Sequence, residues 1–435
     1  MPDLLLVPPR HREHMDAHRE PHRPSSQVWN MHIRRPSQHT HRAAERAVRI
    51  GWVLVATVLM VSLAACSGQV PAAGPSETAT PSQEVVAALV APPIGIVLDA
   101  PTTADQGYPV TITGYLRRLE LPVAANVLLD LGDGTSRRIS VGGAGTFSVQ
   151  HTYGRPGPYQ VAAVATSDGL SPNAVEQSIV VNPRRIVFIQ GVNSSSRCPD
   201  GAGFLTKAPQ WLEAGLVADL ADRAIFLSPD QFSYFSYSGR YCELAGSAPD
   251  YEASDTCASL SEVQSARLMT LVKAIGPGKV TLVGYSMGGL LAAYTVAANP
   301  EWAQERIASI ITFDSPLGGI GLRRTTVLGV EGLFDSDCGP RTSAVGEMGE
   351  GSGTVRVASR ASTIVPVYSV DATSTESGTF GRAEAVPGSA ATLPGAAAHL
   401  EVSQRHSAIW NDPGAAVTAK VRFVVCAVLV DQRCT

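Results

Sequence analysis

Residues 279–298 read KVTLVGYSMGGLLAAYTVAA, and this stretch limits what the rest of the chain can fold into. Val280 to Val283 are apolar and mostly β-branched, which suits a buried parallel strand. Gly284-Tyr285-Ser286-Met287-Gly288 fits G-x-S-x-G. Leu290 to Ala298 is an apolar, alanine-rich helical run that stops at Asn299-Pro300, where proline blocks continuation. Strand, sharp turn and helix in that order put a serine on strained backbone. Its neighbours two before and two after must then lack bulk to let strand and helix approach. Such a turn pushes the Ser286 hydroxyl out at the top of a sheet. It also aims the N-terminus of the following helix, with the Met287 amide, at any oxyanion formed there.

In this context VGYSMGG resembles the nucleophile elbow of α/β-hydrolase-fold lipases and esterases. The resemblance implies a doubly wound sheet, a Ser, acid, His chain order and an acyl-enzyme mechanism. The flanking pattern agrees with it over residues 183–435. Ile186 to Ile189 form a strong strand running into Gln190-Gly191, where lipases of this fold carry His-Gly. The residue after the glycine supplies their second oxyanion amide, which makes Val192 the donor here. Trp211 to Arg223 reads as a helix and Gln231 to Tyr237 as a strand. Ser259 to Ile275 reads as a helix opened by a Ser259/Glu262 capping box. Ile307 to Phe313 and Thr363 to Val370 read as further strands, and a terminal helix starts near Gly414. Residues 318–358, rich in glycine and small polar residues, are expected to overhang the site as a lid.

Seven of the ten histidines lie in the first 65 residues, so only His151, His399 and His406 remain as bases. His151 precedes the serine. His406, in H-S-x-I-x-x-D-P before the terminal helix, is preferred to His399, which follows a Pro-Gly-Ala loop. For the acid, Asp371 directly follows a strand and is preferred. Asp314 also follows a strand, one strand earlier, and stays open as the alternative. The expected catalytic set is Ser286, Asp371 and His406, with Val192 and Met287 at the oxyanion hole.

The first 65 residues read as a leader and signal peptide. Arginines precede an apolar run, Ile50 to Ala65, too short to span a bilayer and right for a signal core. Leu63-Ala64-Ala65-Cys66 resembles the lipobox of bacterial lipoproteins. That implies cleavage before Cys66, its lipidation, and an extracytoplasmic protein held at the cell membrane; a secreted protein is the alternative. Residues 66–93 are rich in Ala, Pro, Ser and Thr, a flexible linker. The leader holds nine Arg and five acidic residues, +4, so the rest of a chain of net charge −4 carries −8. With no basic cluster, nucleic acid is not an expected partner. Beyond Cys66 there are six cysteines, an even number that in an exported chain points to three disulfides. Cys242–Cys257 and Cys426–Cys434 are the local pairs, leaving Cys198–Cys338. No C-x-x-C pair or nearby histidine supports a metal site, and no cofactor is implied.

Residues 94–182 hold seven short alternating segments with turns between them, the pattern of a β-sandwich. Leu129 to Thr135, with its Gly132-Asp133-Gly134 turn, and His151-Thr152-Tyr153 followed by Gly157, Tyr159 and Val161 resemble the PKD domain. That is an Ig-like sandwich whose family carries an aromatic where Leu131 stands. The resemblance implies a structural His151 and a spacer or adhesive role, including contact with glycan or protein. Together these readings predict an exported serine hydrolase of carboxylic esters, a lipase or esterase acting on ester or lipid substrates. An acyltransferase on the same fold is the first rival, and an adhesive cell-surface binding protein the second.

Overall fold

The structure is a computed structural model. It describes residues 93–118, 121–196, 210–241, 249–321, 338, 343–373, 386 and 391–430. Cys66, Cys198, Cys242 and Cys434 lie outside the described residues. No helix among those described is long and apolar enough to cross a membrane.

The first nine strands make a sandwich. They are β1 (Gly95–Asp99), β2 (Thr103–Asp105), β3 (Pro109–Arg118), β4 (Leu121–Pro122), β5 (Ala125–Asp130), β6 (Ser136–Val141), β7 (Thr146–Thr152), β8 (Gly157–Thr166) and β9 (Asn173–Asn182). One sheet joins β1, β3, β4 and β7, and the other runs β2-β9-β8-β5-β6. Alternation decides the faces. Val127 and Leu129 of β5 point inward to Ile112, Leu116, Val161 and Ile179, while Asn126, Leu128 and Asp130 point outward. The Asp133 turn is tied by its own side chains. Asp133 Oδ1 accepts from the Thr135 amide at 3.0 Å, and Oδ2 lies 2.7 Å from His151 Nε2. Buried Tyr153 donates its hydroxyl to the Leu131 carbonyl at 3.0 Å. His151, on β7, thus braces that turn with its side chain.

The second sheet holds β10 (Arg185–Ile189), β11 (Phe232–Tyr234), β14 (Val280–Tyr285), β15 (Ile307–Phe313), β16 (Val367–Ala372) and β17 (Ala398–Val402). Between β11 and β14 a small hairpin, β12 (Arg240–Tyr241) and β13 (Pro249–Asp250), stands apart from it. The six strands are all parallel in the order β11-β10-β14-β15-β16-β17. Successive strand residues serve opposite layers. Val187, Ile189, Leu282 and Ile310 pack on α2 (Ser265–Ala274) and α3 (Met287–Ala298). Ile186, Phe188, Val283 and Ile311 pack on α1 (Gln210–Ala221) and on the last helix, Val417–Leu429. Helix α1 turns Leu212, Leu216 and Leu220 inward, four residues apart on one face. Burial on both faces explains the nearly continuous apolar strands.

Strand order reverses between β10 and β14, so a crevice opens beyond their carboxyl ends. Gly191 and Ser286 follow those two strands. At the other end the sandwich is docked on the sheet. Arg184, 1% exposed, donates its backbone amide to Gln106 Oε1 (3.2 Å), its Nε to the Gln106 carbonyl (3.1 Å) and Nη1 to the Val428 carbonyl. Gln106 Nε2 donates to Gly154 and Phe226, and Gln231 Nε2 to Gln106 Oε1. Buried polar groups that satisfy one another across a junction fix its geometry.

Candidate active site

Ser286 sits between β14 and α3 at φ 53 and ψ −125, a conformation side chains rarely adopt. The surroundings over-determine it. Its amide donates to the Phe313 carbonyl at 2.9 Å, binding the elbow to β15. A Cβ on Gly284 would come 2.5 Å from the Gly289 Cα, so only glycine lets strand and helix pass this closely. A Cβ on Gly191 would stand 3.0 Å from the Ser286 Cβ, which shows how near the end of β10 comes to the serine. Val192 follows in that loop, and Met287 opens α3 with its side chain fully buried.

The loop is held from below. Ser194 Oγ donates to the Gly191 carbonyl (2.6 Å), Tyr237 Oη to the Gln190 carbonyl (2.5 Å), and the Asn193 amide to Thr256 Oγ1 (3.1 Å). The Gln190 side chain, where the resemblance has histidine, accepts from Trp410 Nε1 at 2.9 Å. It therefore joins the end of β10 to the segment bearing His406.

His406 opens the helix Ser-Ala-Ile-Trp, His406–Asn411. Its Nε2 lies 3.1 Å from Ser286 Oγ, and its Nδ1 lies 2.5 Å from Asp314 Oδ2. The ring tilts over Tyr285 with centroids 5.0 Å apart, and the Tyr285 hydroxyl donates to the His406 carbonyl at 3.1 Å. Burial pushes the Tyr285 hydroxyl well up, and the Asp314 carboxylate adds to it, so that hydroxyl stays a donor. Asp314 follows β15 at φ 44, an angle that Asp tolerates better than most residues, and its amide continues the ladder to the Val370 carbonyl. Its Oδ1 faces the Ala372 amide at 3.4 Å.

The acid expected at Asp371 is therefore corrected: the carboxylate on His406 is Asp314. Strand β15 lies directly beside β14, whereas β16 is one strand further out. Asp371 instead accepts from Thr392 Oγ1 at 2.6 Å and lies 3.4 Å from His399 Nε2. Burial pushes its carboxyl up to about 6, against the pull of Thr392 and His399. His399 does follow the Pro-Gly-Ala loop, residues 394–396. It belongs to β17, a strand the sequence reading missed because AHLEV alternates only briefly.

The disulfides are also re-paired. Cys257 bonds Cys338, with Cα atoms 5.2 Å apart, so neither Cys242–Cys257 nor Cys198–Cys338 forms. Chain proximity favoured the local pair, but the turn Ala253–Cys257 packs against Cys338, which lies 3.7 Å from Thr256 Oγ1. Cys426 is disulfide-bonded. The lid reading fails for part of its range. Helices Ser343–Glu347 and Gly353–Ala358 bury Val345, Val355 and Ala358 in the α3 layer; residues 322–337 and 339–342 lie outside the described residues. The expected capping box is half formed: Ser259 Oγ accepts from the Glu262 amide at 3.1 Å, but Ser259 then donates to Glu347. Among the described residues no cluster of metal-ligating side chains occurs.

Residues 202–398 match the family model described as alpha/beta hydrolase fold, and residues 95–178 match that of the PKD domain. The chain thus carries an α/β-hydrolase-fold domain C-terminal to a PKD sandwich, and the first match supports a hydrolase. Among solved structures it is similar to the PKD domain of an M14-like peptidase from a Thermoplasmatales archaeon (17% identity, 20% of this chain and 91% of that one, TM-score 0.18). It is similar also to the PKD1 domain of Vibrio anguillarum Epp (18%, 21% and 95%, 0.17). A third is the PKD domain of the human VPS10 domain-containing receptor SorCS2 (18%, 27% and 97%, 0.18). No curated protein matches the chain.

Proposed function

We propose that this protein is an exported serine hydrolase that cleaves carboxylic esters through an acyl-enzyme. The observation that carries the reading is the unbroken line from Ser286 Oγ through His406 to Asp314, set on a strained elbow. Ser286 attacks the ester carbonyl while its proton passes to His406 Nε2. Asp314 holds Nδ1–H, fixes the ring and stabilises the imidazolium. The backbone amides of Met287 and Val192 receive the developing oxyanion. His406 returns the proton to the departing alcohol. Water, deprotonated by the same nitrogen, then releases the acid and restores Ser286.

The setting supports exposure to lipid and polymer esters. PKD domains are typical of extracellular proteins, and the LAAC sequence at Cys66 gives a reason for membrane tethering. Esters of short to medium acyl chains are the expected assay substrates, with lipid esters as the natural class. The deciding experiment is labelling with a fluorophosphonate combined with turnover of p-nitrophenyl esters. Wild type should label and turn over, and Ser286→Ala should do neither while keeping its circular dichroism. Unchanged turnover in that variant rejects the assignment.

A further inference from the structure

Lys420 lies in a largely apolar helix, VTAKVRFVVCAVL, and is fully buried, whereas the helix's other charge, Arg422, is exposed. Burying an ammonium costs several kcal/mol unless its donors are all paired. Here they are: Nζ donates to Gln404 Oε1 (2.7 Å), to the Asp412 carbonyl (2.9 Å) and to the Ile409 carbonyl (3.2 Å). Three donors meet three acceptors. All three acceptors belong to one segment, residues 404–412, and His406 lies inside it.

We infer that Lys420 is a positioning residue for His406: its ammonium ties the two ends of the 404–412 segment together and thereby sets the imidazole against Ser286. The inference rests on His406 being the base. The segment is held by other contacts as well. Trp410 stacks on Tyr285 with centroids 5.3 Å apart, and Trp211 Nε1 donates to the Trp410 carbonyl at 3.1 Å. Those contacts fix the height of the helix His406–Asn411 over the sheet. Lys420 joins Gln404 before the histidine to Ile409 and Asp412 after it. Gln404 Nε2 closes the same ring by donating to the Asp412 carbonyl at 3.2 Å.

The groups facing Lys420 are the Trp211 ring from α1, 4.4 Å away, and the Gln404 amide and Asp412 from the segment itself. Burial lowers the ammonium to about 8, with Asp412 opposing. Above that pH a neutral amine has two donors for three acceptors, and the tie slackens.

The test measures kcat and KM of the full chain on a p-nitrophenyl ester from about pH 6 to about pH 10. Lys420→Met should lower kcat at neutral pH about tenfold with KM nearly unchanged, since a small displacement of the base is costly. The loss of wild-type kcat centred near pH 8 should vanish in that variant. Gln404→Leu, which leaves the ammonium in place but removes one of its acceptors and the Gln404–Asp412 bond, should show a smaller loss of the same kind. Fluorophosphonate labelling to completion counts the folded sites in each preparation. A wild-type kcat per labelled site in both variants, or an alkaline limb that survives Lys420→Met, overturns the inference. If Ser286→Ala still turns over ester, the ester-hydrolase reading falls instead, so the two failures are distinct.

Discussion

Two buried aspartates stand at the carboxyl ends of adjacent parallel strands, each beside a histidine. The side chains of Asp314 and Asp371 are both 2% exposed. Asp314 meets His406 at 2.5 Å and Ser286 waits on the other ring nitrogen. Asp371 meets His399 at 3.4 Å, and that ring's other carboxylate neighbour is Glu401, on the surface. His399 is 39% exposed where His406 is 16%. Asp371 Oδ1 is buried with no hydrogen-bond partner among the described residues. The same residue types at equivalent strand ends thus do different things. What separates them is lateral distance from β14, the strand that leads to Ser286, a property of the sheet and not of either pair.

The largest effect that sharpens this contrast is on turnover. Asp314→Asn should lower kcat by about 10³ to 10⁴, because the imidazole loses its orienting acceptor. Asp371→Asn should stay within about threefold. Steady-state kinetics on one ester decides, and the reverse ranking would return the acid to β16. The histidines should follow suit. His406→Ala should be nearly as damaging as Ser286→Ala, since such residues act as a unit. His399→Ala should change kcat by less than about twofold.

A smaller effect concerns stability against pH. The Asp371 carboxyl is raised from 3.8 to about 6 by burial. Between those values the folded state keeps a proton that the unfolded chain has lost. Its contribution is therefore full below about pH 4 and falls as pH rises to about 6. Asp371→Asn removes that dependence. Relative to wild type, the variant should gain on the order of 1–3 kcal/mol between pH 4 and pH 7, measured by denaturant unfolding at both values.

The smallest effect comes from the third such pair, Asp133 with His151 in the sandwich. Burial pushes Asp133 up, but hydrogen bonds from Thr135 and His151 outweigh it and hold the carboxyl below its usual range. The sign is opposite: stability from this group is present above about pH 4 and is lost as pH falls. Asp133→Asn should cost no more than about 1 kcal/mol at neutral pH, with the cost fading in acid. Ester turnover should be unaffected.

Much of the fold was legible because it rests on local pattern. The seven sandwich segments all became strands, and Ile307–Phe313 fell where β-branched residues ran together. The elbow was legible because only glycines permit it. The terminal helix instead begins at Val417 and extends to Leu429, since the turn near Gly414 continues past the site where composition alone placed the start. Lys420 left one sign in the sequence, a charge that with Arg422 interrupts an apolar helical run. Such a charge reads equally as a snorkelling surface residue until its acceptors are seen.

The sequence by itself determined the strand–turn–helix at Ser286, the two-domain order and the pool of three histidines after residue 65. These follow from backbone sterics, side-chain period and simple count. Tertiary structure alone decided that Asp314 and not Asp371 meets His406, that Cys257 bonds Cys338, and that Lys420 grips the histidine's segment. The first two join residues 92 and 81 positions apart, and Lys420 reaches back 8 to 16 positions across a turn. Which distant residues meet is set by the lateral order of strands and by which helix covers them, and no local propensity encodes either.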